Sequence, residues 1–136
     1  MYSEKLELLI DGVWSAGSEG KGEDLINPAT GEVLAWLPHA SAADLDRALE
    51  ASDKGFKVWK AMTAQQRAVI MNKAADLIEA RKNEIARILT QENGKPLVEA
   101  TGEVQFSADA TRWYAEEGKR AYGRIVPARL PGVRQM

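Results

Sequence analysis

Glu99 and Glu103 stand four residues apart, a spacing that places two carboxylates on one helical face. Such a pair can serve acid–base work, although on an exposed helix it is ordinarily just solvated. Glu116 and Glu117 are adjacent, so they diverge around a helix and form no pair. His39, the sole histidine, lies in LPHAS. A metal site or an acid–base pair would need a second histidine or a cysteine, and the sequence has neither, so His39 reads as a surface-loop residue. The lack of cysteine also removes a disulfide framework, thiolate zinc ligands and a cysteine nucleophile from these residues. ENGKP, residues 92–96, carries a glycine and a lysine but neither Gly-x-Gly-x-x-Gly nor Walker spacing. Its plain reading is a helix C-cap, with Gly94 in the left-handed position. Phe106, Ala110 and Trp113 recur at i, i+4 and i+7, with Tyr114 beside them. That stripe is expected in the core; the alternative is a wall facing a ligand. The residue types alone assemble no catalytic constellation.

Charge narrows the partners. Eighteen basic residues against 20 acidic give a net charge of −2, without the basic excess of a nucleic-acid protein. Arg124, Arg129 and Arg134 cluster in YGRIVPARLPGVRQM but lack interleaved aromatics, so neither a groove-entering helix nor a stacking platform is expected. No apolar run reaches membrane-spanning length, and the N-terminus lacks the basic and apolar regions of a signal peptide. The expectation is a soluble, cytoplasmic chain with no nucleic-acid or membrane partner.

The elements that would position these residues change period along the chain. At 136 residues and 45% hydrophobic, the chain has the size of one domain. Residues 1–38 read as two β-hairpins, the first turning at Asp11-Gly12 and the second through Pro28 and Gly31. From 41 to 120 the period is helical. Ser41 with Asp44 opens a helix whose apolar face holds Leu45, Ala48, Leu49, Phe56 and Trp59. Thr63 with Gln66 fits a capping box for a long second helix ending at Gly94 and Pro96. Its stripe is Ile70, Ala74, Leu77, Ile78, Ile85, Ile88 and Leu89. A third helix is expected from about Leu97 to Arg120. The fold class is therefore α+β: two N-terminal hairpins, three amphipathic helices and a strand-like tail, GRIVPARLP. Four short strands and that tail look like part of a larger sheet.

LLIDGVW, INPATGEVLAWLPHAS, QENGKPLVEATGEV and RWYAEEGKRAYGRIVP, taken together and in order, resemble the N-terminal part of the aldehyde dehydrogenase superfamily. AEEGKRAYG and PARLPGVRQ are most similar to its succinate-semialdehyde and 2-oxoglutarate-semialdehyde branch. The resemblance covers nearly the whole chain. It implies a parent enzyme that oxidises a small aldehyde to an acid with NAD or NADP and forms a homo-oligomer. In that family a cysteine thiolate attacks the carbonyl, a glutamate activates water, and an asparagine in Pro-Trp-Asn holds the oxyanion. All of these lie beyond the position matching Met136, as do the cofactor-binding turns. The resemblance thus implies an incomplete piece of the larger α/β fold, residues 121–136 leading onward, inactive alone and binding no cofactor itself. It places Phe106, then Trp113 and Glu103, on a helix that walls the aldehyde tunnel. It also marks Ile26 and Glu92 as positions where some members hold a structural monovalent cation through backbone oxygens. The rival reading from the residues is a standalone helical module that docks a protein partner.

Overall fold

Asp11 and Gly12 take φ of 52° and 77°, the doubly left-handed turn that matches the twist of two short strands. Strands β1 (Leu8–Ile10) and β2 (Val13–Ser15) pair antiparallel across it, with Leu9 opposite Trp14. The computed structural model describes residues 6–124, 128 and 130–134. Strands β3 (Gly22–Ile26) and β4 (Val33–Pro38) form a second antiparallel hairpin, with a bulge between Leu25 and Ile26. Its loop is built by Asn27: the side-chain oxygen accepts from the Ala29 amide at 2.9 Å, and its carbonyl accepts from Gly31 at 2.8 Å. Both expected hairpins form, and among the described residues each is a separate two-stranded sheet.

Helix α1 (Ala42–Ala61) begins at a reciprocal capping box between Ser41 and Asp44. Thr63 and Gln66 form the same device for α2 (Ala64–Ala80). Both starts match the sequence reading. The long second helix does not run through: Arg81, at φ −100° and ψ 11°, separates α2 from α3 (Lys82–Asn93), so the described residues form four α-helices and not three. Apolar spacing continues across the junction and gives no hint of it. The Arg81 guanidinium donates two bonds to Glu84, at 3.1 and 2.8 Å, just beyond the break. Gly94, at φ 77°, closes α3 by donating to the Thr90 carbonyl, as ENGKP predicts. Helix α4 (Leu97–Glu117) then runs into a 3₁₀ turn at Gly118–Arg120.

The core lies where α4 meets α2 and α3, and it is made of small side chains. Ala68 and Ala75 of α2, Ala86 of α3, and Ala100, Val104, Ala108 and Ala115 of α4 are buried. Ile78, Ile85 and Leu89 pack half-buried against Ala86, Ala100 and Val104. Alanine lets two helix backbones approach closely, so the seam is thin and intolerant of added volume. This corrects the expected faces. Ile70, Ala74 and Leu77 of α2 are exposed, and its inner row is set by Ala68, Ala75 and Ile78. Phe106 and Trp113 are 72% and 56% exposed, so their stripe is an outer surface and not core. The strand expected in GRIVPARLP is not formed at Gly123, Arg124 or Ala128; residues 125–127 and 129 lie outside the described residues.

Candidate functional site

Seven residues separate Phe106 from Trp113, two helical turns, and α4 carries both to one side. With Asp109, Ala110 and Tyr114 they line an open, mainly apolar depression of about 470 Å³. The Trp113 and Tyr114 rings meet edge to face, centroids 4.8 Å apart, which stiffens one wall. Asp109, on the rim, accepts from Gln105 at 3.1 Å and faces Arg112 at 3.5 Å. Arg112 also binds Asp76 and Glu79 on α2, tying the helix beneath the depression to its neighbour. Those bonds raise the Arg112 pKa. Hydrogen bonding from Arg112, followed by its charge, holds Glu79 below the usual carboxylate range. Asp109 is the rim residue that sequence reading did not name, because an acidic residue on a polar helix carries no signal of its own.

Glu103 does not line this depression. Its carboxylate forms an ion pair with Lys95 from the turn before α4, while Glu99 is exposed. Glu103 is thus engaged by Lys95 while Glu99 is exposed, and the i, i+4 carboxylates do not present a matched free pair. His39 stands 3.6 Å from Glu23 at the surface, both half exposed or more. Among the described residues no group of three histidine, aspartate or glutamate side chains could hold a metal ion.

The most buried charge lies elsewhere. Asp44 has no exposed surface, and one oxygen accepts from the amides of Ser18 and Ser41 at 3.0 and 2.9 Å. The Ser18 and Ser41 hydroxyls lie 3.0 and 2.9 Å from that oxygen and 2.7 Å from each other. Arg47 reaches the other oxygen at 2.5 Å. The backbone bonds from Ser18 and then Ser41 hold this carboxyl well below the usual range, outweighing the opposing effect of burial. The Ser41 half of the network was legible as a cap; the Ser18 half, 26 residues away, was not. Gly17 completes the fastening at φ 79°, where a Cβ would meet the His39 carbonyl at 2.7 Å. The arrangement anchors a loop and offers no open face to a ligand.

The INPATGE and ENGKP turns come together. A Cβ on Gly94 would lie 3.1 Å from Cγ of Pro28, so the two turns touch directly. Ile26 ends β3 on one side of this contact and Glu92 lies in the last turn of α3 on the other.

Comparison with known proteins places this geometry. A sequence model of the aldehyde dehydrogenase family matches residues 14–136. The chain is 40% identical over 125 residues to glutarate-semialdehyde dehydrogenase of Pseudomonas aeruginosa, covering 92% of this chain and 26% of that protein. It is 38% identical over 121 residues to the NADP(+) succinate-semialdehyde dehydrogenase of Escherichia coli, covering 89% and 25%. The crystal structure of an aldehyde dehydrogenase from Brucella melitensis superposes with a TM-score of 0.91 at 43% identity, over 96% of this chain and 27% of that one. The chain thus spans about a quarter of the length of the curated relatives it matches. What is folded here is a partial piece of their fold, two hairpins and four helices, and the chain belongs to the aldehyde dehydrogenase family.

Proposed function

We propose that these residues serve as the N-terminal part of an NAD(P)-dependent semialdehyde dehydrogenase, which converts an aldehyde to a carboxylic acid. In that enzyme they supply a scaffold and one wall of the substrate entrance, and the reacting groups come from elsewhere. The observation that carries the reading is the match of 92% of the chain to about a quarter of a glutarate-semialdehyde dehydrogenase. The residue inventory agrees: with no cysteine and no Gly-x-Gly-x-x-Gly turn, the chain has neither the family's nucleophile nor a phosphate cradle for NAD or NADP. No cofactor contact is assigned to it.

Phe106 and Trp113 form the entrance wall, where an apolar surface holds the hydrocarbon part of an aldehyde. Glu103 acts one turn away, where its ion pair with Lys95 fixes the turn that precedes α4. The parent is a cytoplasmic homo-oligomer acting on a small aldehyde. Supplied with succinate or glutarate semialdehyde and either NAD or NADP, the 136-residue chain is expected to give no reduced nicotinamide. Turnover would overturn the assignment of chemistry to other residues. The rival, a standalone binding module, draws on the open apolar row of α1. It predicts a monomer that unfolds in one cooperative transition and does not aggregate.

A further inference from the structure

Helix α1 ends and α2 begins across two extended residues, Met62 at φ −72° and ψ 148° and Thr63 at φ −67° and ψ 158°. Each helix closes its own end there: the Met62 amide donates to the Trp59 carbonyl at 3.2 Å, and Thr63 shares its capping box with Gln66. Before this junction β1 packs on α1, and Asp44 pins the loop at Ser18 to the same helix. After it α4 packs along α2 and α3, and Arg112 ties α4 to Asp76 and Glu79 of α2. Among the described residues, neither α1 nor any strand shares an extensive packing surface with α2, α3 or α4. The apolar row of α1 supplies none: Leu49 is 69% exposed and Phe56 59%. An amphipathic helix owes most of its stability to burial of such a row, so α1 is weakly supported beyond its cap and β1. Arg67, half-buried on α2, reaches back across the junction. Its guanidinium donates to the Met62 carbonyl at 2.6 Å and lies 3.5 Å from that of Trp59, bracing the carbonyl end of α1, where a cation is favoured.

We propose that Met62–Thr63 is the boundary between two units that open separately: the hairpins and α1 let go and unfold together while α2, α3 and α4 stay folded. Arg67 is the latch that holds the first unit shut. An unburied stripe and sparse packing make the first unit the weaker one, and the alanine seam makes the second the stronger. Two consecutive non-helical residues between helices that cap themselves are where the backbone can part without breaking either helix. The depression walled by Phe106 and Trp113 lies wholly on α4, so it outlasts the opening.

The test is hydrogen exchange of the 136-residue chain under native conditions, with Arg67→Met as the variant that removes the brace. In the unaltered chain the amides of α1 and of the β3–β4 hairpin should share one opening. That opening should expose them at least about tenfold faster than the α4 amides between Ala100 and Ala115. Arg67→Met should raise the faster rate about fivefold, as the loss of one hydrogen bond would, and leave the α4 rate unchanged. A single rate throughout the chain overturns the proposal, as does α4 exchanging faster than α1. An acceleration by Arg67→Met that reaches α4 equally overturns the latch, because Arg67 would then support the whole fold. A variant that does not fold overturns it for the same reason, and the rates of the unaltered chain still decide the boundary. Brief proteolysis of the unaltered chain reads that boundary independently: the surviving piece should begin close to Thr63, and first cuts inside α2 or α4 count against it.

Discussion

Between Leu8 and Ala61 the chain is fastened by hydrogen bonds to one buried carboxylate; between Ala64 and Glu117 it is fastened by helices that meet over alanine. The first kind of fastening holds a point. Asp44 gathers Ser18, Ser41 and Arg47, and the loop before β3 is pinned to the start of α1. Beyond that point α1 leaves its apolar row open. The second kind holds a line. Ala75 and Ala108 are fully buried, and so are Ala86 and Ala100, so α4 is seated along much of its length. Small residues make the closer contact, and large apolar side chains such as Leu49 of α1, Leu77 of α2 and Phe106 of α4 are left facing outward.

The comparison can be broken most severely at the line. Ala108→Leu adds three carbons to a site with no exposed surface, and should cost about 3 kcal/mol, near the upper end for overfilled cores. Chemical denaturation with a helix signal measures it. A loss below about 1 kcal/mol would mean that the seam is looser than its burial implies.

The point is probed by Asp44→Asn, which keeps the shape but removes the charge that the Ser18 and Ser41 amides and Arg47 face. Because the folded carboxyl is held below its ordinary range, its contribution is complete above about pH 4 and fades as pH falls toward the lowered value. The stability gap between the native chain and the variant should therefore be widest near neutrality and shrink at about pH 3. Melting curves at both values read the gap. A gap that does not change with pH would show that the fastening does not depend on the carboxylate's charge. The smallest effect belongs to the open face. Leu49→Gln, 69% exposed, should change the stability of the 136-residue chain by no more than about 0.5 kcal/mol. A larger loss would reveal a partner for α1 already present in solution.

Legibility in the sequence followed the same division. Asp11-Gly12, Ser41 with Asp44, Thr63 with Gln66, and Gly94 were all readable, because turns and caps are decided by neighbours a few residues away. The inward faces were not. Hydrophobicity ranks Ile70 and Leu77 above Ala68 and Ala75, but close helix approach selects the smaller residue, and the rank inverts. The Arg81 break was hidden because the apolar rhythm of α2 carries into α3. At the candidate site, the meeting of Phe106 and Trp113 could be read from their spacing. The Lys95–Glu103 pair, which bridges a turn and a helix, could not.

The touch between Gly94 and Pro28 has a consequence for how the chain can vary. A left-handed cap would by itself accept asparagine as well as glycine. A Cβ at position 94 would come within 3.1 Å of the pyrrolidine ring, which must give by a few tenths of an ångström to admit it, so position 94 is constrained twice, by its own torsion and by a residue 66 positions earlier. Mutational drift in one turn is answerable to the other. ENGKP and INPATGE, which look like two independent words in the sequence, are spelled jointly.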